Sequence, residues 1–142
     1  MPELSPGDLK IRIREAVVEQ LPDVWAIYLY GSSARGDEFP SSDLDVAVLL
    51  PPGRCLKQPW QMAEQLAGAL GRDVDLVDLR RAGDVLCMQV MAEGVVLYNA
   101  EPGEVLAWEA GAMTRYGHYR HEVSGLMVDF RASGIGYAGS GR

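Results

Sequence analysis

The stretch YGSSARGDEFPSSDLDVAVLL, Tyr30 to Leu50, decides how this chain is read. A Gly-Ser turn closes one apolar run, and two aspartates, Asp43 and Asp45, open the next. In a β-strand alternate side chains share a face, so the two aspartates project together, about 7 Å apart at Cα. Unpaired, such carboxylates raise each other's pKa or push the strand away from its neighbours. Either the pair adds solubility at a solvent-facing edge, or it binds cations. Mg2+ is the natural cation, since it takes carboxylate oxygens and completes its shell with water and substrate phosphates.

Outward from this stretch, helical and strand patterns alternate. Ser5, Pro6 and Asp8 stand as an N-cap, a first-turn proline and a capping acid. Leu9, Ile13, Val17 and Leu21 then recur at i, i+4, which predicts a helix with one buried stripe. Val24 to Gly31, Asp43 to Leu50, Asp73 to Leu79 and Val95 to Asn99 read as strands, being rich in β-branched and aromatic residues. Between the second and third, WQMAEQLAGALG predicts a helix with Trp60, Ala63, Ala67 and Leu70 on one face and Gly71 as C-cap. A short helix is expected over Gly83 to Gly94, and the chain from Pro102 reads as helical through the segment TRYGHYRHEVSGLMVDF. The class is α/β or α+β, a small mixed sheet flanked by helices. One domain is expected over residues 1–131, with a flexible tail over 132–142.

Composition narrows the function. The chain has 142 residues, 48% of them hydrophobic, enough for one packed core and short for two. A net charge of −7 disfavours a grip on DNA or RNA, which depends on clustered Lys and Arg. No run of about 18 apolar residues occurs and the N-terminus is charged, so neither a membrane span nor a signal peptide is expected, and a cytoplasmic setting is. Cys55 and Cys87 lack partners at metal-ligand spacing and read as small hydrophobes.

Two further features weigh toward the cation reading of the aspartates. In GSSARG the glycine permits a sharp turn, and the amides and hydroxyls that follow can point at an anion, as in phosphate-binding turns. In DVDLVDL, Asp75 shares a face with Asp73, and if this strand lies beside Asp43–Asp45 a third carboxylate joins the pair. Asp78 has the opposite parity and reads as a surface residue at the strand end.

Together, GSSARGDEFPSSDLDVAV and DVDLVDL resemble the polymerase β-like nucleotidyltransferases, and within them the minimal nucleotidyltransferases (MNT), over about Val24 to Tyr98. The resemblance implies that Gly31 and Ser32, with Ser33 and Arg35 beside them, hold a triphosphate. It implies that Asp43, Asp45 and Asp75 are the catalytic, metal-binding acids, serving two Mg2+ ions with ATP as substrate. It further implies transfer of AMP to a hydroxyl, most often a tyrosine on a HEPN-type ribonuclease toxin for which an MNT protein is the antitoxin. An acidic chain suits a basic nuclease partner. The competing readings are a transferase for a small hydroxylated molecule such as an aminoglycoside, and a non-catalytic antitoxin that blocks its partner sterically.

Other residues carry weaker expectations. Arg35 either contacts phosphate or pairs with Asp37 or Glu38, and Arg80 and Arg81 read as a solvated loop. His118 and His121 lie three apart on a helical pattern but are poor ligands for hard Mg2+. Trp25, Trp60 and Trp108 read as core or partner-surface aromatics.

Overall fold

The computed structural model describes residues 5–31 and 43–132, with side chains through His118. Helix α1 (Pro6–Gln20) begins as its sequence predicts: Ser5 is extended, and its hydroxyl accepts from the Asp8 amide at 3.1 Å. Leu9, Ile13 and Val17 are its buried stripe. Strand β1 (Ala26–Tyr30) is buried at every position, and β2 (Leu44–Leu49) at all but Asp45.

Helix α2 (Pro59–Leu70) ends on Gly71, whose φ of 72° closes the helix in the left-handed region. Of the face formed by Trp60, Ala63, Ala67 and Leu70 only Leu70 is fully buried, and Met62 and Leu66 are buried with it. Burying Met and Leu removes more apolar area than burying two alanines, so the helix turns the long aliphatics inward. Trp60 is left 64% exposed. Parallel strands need a long crossover, and α2 supplies it between β2 and β3 (Val74–Asp78). Helix α3 (Asp84–Glu93), β4 (Val95–Asn99) and the long α4 (Pro102–Ala132) complete the described elements.

The sheet order is β3-β2-β1-β4, with β2 and β3 parallel and the other pairs antiparallel. Strand parity divides the core into two layers. Ile27, Leu29, Val46 and Val48 pack against α1 and α2, while Tyr28, Ala47 and Leu49 pack against α3 and α4. A sheet covered on both faces explains the near-continuous apolar runs of β1 and β2. It also corrects the reading of Asp78. Opposite parity from Asp75 turns Asp78 toward the first core layer, where it is 6% exposed and accepts from the amides of Leu56 (3.0 Å) and Arg80 (3.1 Å).

Arg80 is likewise not a solvated side chain. Its Nε donates to the Leu50 carbonyl, and its guanidinium lies over the Trp25 ring, 5.2 Å from the centroid. Cys87 is buried as expected, but Cys55 is exposed. No helix among the described residues is long and apolar enough to cross a membrane.

Candidate active site

Strand pairing assembles the acids. Asp45 lies opposite Tyr30 across the antiparallel β1–β2 ladder and level with Asp75 across the parallel β2–β3 ladder. Neighbouring strands stand about 4.8 Å apart and directly paired residues share a face, so Tyr30, Asp45 and Asp75 form one transverse row. Asp43 immediately precedes β2, two residues before Asp45, and its charge acts on the Asp45 carboxyl. The row occupies the end of the sheet where β1 finishes and β2 and β3 begin.

The row is graded in exposure. Tyr30 is buried, Asp45 half-buried, and Asp75 and Asp43 exposed. Burial above all, then the negative charges of Asp75 and Asp43, holds the Asp45 carboxyl above the usual carboxylate range. Burial, with Asp45 and Asp75 facing it, pushes the Tyr30 phenol up to about 12, so it stays a neutral hydroxyl beside the acids. Tyr30 is a site residue that sequence reading passed over. Its signal was available, since it is the last residue of the strand before the Gly-Ser turn, but its relation to Asp45 depends on register.

Gly31 completes the turn above this row with φ of 74°. A Cβ there would collide with the Asp45 carboxylate, so glycine is required by both conformation and space. Ser32, Ser33 and Arg35 lie outside the described residues, as does the His121 side chain, and His118 is exposed.

Beneath the acids, the next residue pair inward on the same face is anchored to α4. The Tyr28 hydroxyl donates to Glu109 Oε2 at 2.7 Å, tying β1 to the long helix. Beside the acids, a cleft of about 510 Å3 opens between β3 and α2, with Asp43, Asp73 and Asp75 on one wall and Trp60, Ala63 and Glu64 on the other.

Among the described residues no three His, Cys, Asp or Glu side chains stand together as a ready-made metal cage. The donors present are all carboxylate oxygens, a set that fits Mg2+, which is usually held by one or two carboxylates and completed by substrate phosphates. An acid row of this kind beneath a glycine turn is a donor set that can hold divalent cations, which in turn bind nucleoside phosphates.

The comparisons agree with that chemistry. Residues 12–102 match the family described as polymerase beta, nucleotidyltransferase, and the chain belongs to this family. Among curated proteins it resembles the protein adenylyltransferase MntA of Shewanella oneidensis, with 34% identity over 122 residues that cover 86% of this chain and 87% of that protein. Among solved structures it resembles a toxin-antitoxin complex with AMP-PNP, at 34% identity and TM-score 0.75, covering 86% of this chain and 98% of that one. It also resembles the complex of a tri-AMPylated Shewanella oneidensis HEPN toxin with an MNT antitoxin, at 30% identity and TM-score 0.73, covering 89% and 99%.

Proposed function

We propose that this protein transfers AMP from ATP to a tyrosine hydroxyl of a cognate HEPN-type ribonuclease toxin and thereby acts as its antitoxin. The observation that carries this reading is the alignment of Asp45 with Asp75, Asp43 beside them, directly under the Gly31 turn. The relatives named as an adenylyltransferase and as an antitoxin bound to an AMPylated toxin support the acceptor class.

In the reaction the acceptor oxygen bonds to the α-phosphorus, the bond to the β-phosphate oxygen breaks, pyrophosphate leaves, and the hydroxyl proton passes to a base. Asp75 is placed for the acceptor side, being exposed and one strand spacing from Asp45. Asp43 and Asp45 serve the nucleotide side, with Asp45 directly against Gly31. Tyr30, kept protonated, walls the row on its buried side without adding charge. Two Mg2+ ions held by Asp43, Asp45 and Asp75 together with the phosphates would stabilise the attacking and leaving oxygens of the in-line displacement. Their positive charge would offset the repulsion from Asp75 and Asp43 that, after burial, raises the Asp45 carboxyl above the usual carboxylate range. A cytoplasmic setting follows from ATP as substrate and is in keeping with free Cys55 and Cys87.

The test is mass spectrometry of the co-purified toxin after incubation with ATP and Mg2+. Each transferred AMP adds about 329 Da, the increment set by displacement at the α-phosphate. The Asp43→Asn variant should add none. A tight wild-type complex in which neither chain gains mass, with the variant neutralising the toxin equally well, would establish steric inhibition instead.

A further inference from the structure

We propose that the groove between α2 and the outer edge of β3 receives an extended, cationic segment of the acceptor protein, which adds to β3 as a further strand and delivers its hydroxyl to Asp75. The inference rests on the adenylyltransferase reading and specifies how the acceptor enters.

The edge is the first argument. β3 is the last strand of the sheet. Its inward hydrogen bonds to β2 include the Asp73 carbonyl, accepting from Leu44, and the Leu79 amide, donating to Val48, both at 2.9 Å. In a parallel ladder the alternate residues point their amides and carbonyls the other way, so Val74 and Leu76 face outward. No described strand pairs with them. Such an edge is a template for an incoming strand.

The second argument is charge. Asp43, Glu64, Asp73 and Asp75 line the groove, and no described Lys or Arg does. The same acids would set two copies of this edge against each other, which disfavours self-pairing and selects a partner of opposite sign.

The third argument is shape. Trp60, at the first turn of α2, presents an indole 64% exposed, while Ala63 and Ala67 leave the helix wall low behind it. An exposed indole beside carboxylates suits an Arg or Lys stem, whose cation the ring face attracts. Asp43 and Asp75 belong to both the groove and the acid row, so a strand lying along β3 ends at the reacting centre.

Steady-state kinetics with the co-purified toxin test the groove through Trp60→Ala and Glu64→Lys, both on the solvent side of α2. The expected result is a rise of about tenfold or more in KM for the toxin, with KM for ATP and kcat within about twofold of wild type, as removal of uniform binding requires. A rise in KM for ATP alone would place the nucleotide in the groove and overturn the proposal. No change in either would also overturn it. Hydrogen exchange of the wild-type complex gives a readout independent of transfer: the Val74 and Leu76 amides should become protected when the toxin binds. Mass gain on the toxin without that protection defeats the docking proposal alone. Protection without mass gain supports the docking and defeats the adenylyltransferase reading.

Discussion

The carboxylate of Asp45 fills the space that a side chain on residue 31 would occupy, so Gly31 and Asp45 are a matched pair. The turn can pass over the acid row only because it carries no Cβ there. This close approach sets the Gly31 backbone against the Asp45 carboxylate without an intervening side chain.

Gly31→Ala therefore carries two costs: φ of 74°, which alanine rarely adopts, and a collision with Asp45. Together they should destabilise the fold by about 1–3 kcal/mol and lower transfer at least a hundredfold by displacing Asp45. Combining it with Asp45→Ala removes the collision and leaves the conformational cost. Chemical denaturation of the two single variants and the double variant should then show non-additivity on the order of 1 kcal/mol. Simple additivity would mean that the turn does not press on Asp45.

Asp45→Asn should stabilise the metal-free protein at pH 7 by about 1 kcal/mol, or roughly 3–5 °C in Tm for a chain of this size, while abolishing transfer. The sign follows from the raised carboxyl of Asp45, caused by burial first and then by Asp75 and Asp43. A group whose folded pKa lies above its unfolded value binds its proton more tightly in the fold. Its ionisation therefore costs stability in full above the folded pKa, and that cost vanishes below the ordinary value of 3.8. The advantage of the variant should accordingly shrink as pH falls from 7 through the acid range. Melting curves in EDTA check this, and a pH-independent difference would refute it.

ATP should bind weakly in EDTA and at least tenfold more tightly with Mg2+. Asp43, Asp45 and Asp75 repel a triphosphate until divalent ions bridge carboxylate and phosphate oxygens. Calorimetry with an ATP analogue whose α–β bridging oxygen is replaced by a methylene group, which cannot release pyrophosphate, measures this directly. Equal affinity in both buffers would remove the acids from the nucleotide site.

Asp78→Ala should cost about 2–4 kcal/mol, because it leaves the Leu56 and Arg80 amides without their buried acceptor. Transfer per folded molecule should be unchanged, since Asp78 lies at the opposite end of β3 from the acid row. Denaturation midpoints and activity normalised to folded protein separate the two effects. A loss of activity without a loss of stability would give Asp78 a role in the site.

Much of this protein was legible in local sequence. Enrichment in β-branched and aromatic residues identified the four strands, the two-residue spacing put Asp43 and Asp45 on one face, and the Ser5 cap, Leu9–Ile13–Val17 stripe and Gly71 stop defined two helix ends and one buried face. These features depend on residues within a turn or a pleat of each other, so the chain states them directly. What needed the tertiary structure was every relation between distant segments. Only the β2–β3 pairing brings Asp75 level with Asp45, and only the β1–β2 register adds Tyr30 to the row. Parity distinguished the two faces at Asp78 without revealing that helices cover both, which is why a residue read as surface is buried. Trp60 reads from sequence as either core or partner surface for a related reason: its helix has two plausible apolar faces, and the volume available against the sheet chose Met62, Leu66 and Leu70. Packing is settled between segments, whereas periodicity is written within one.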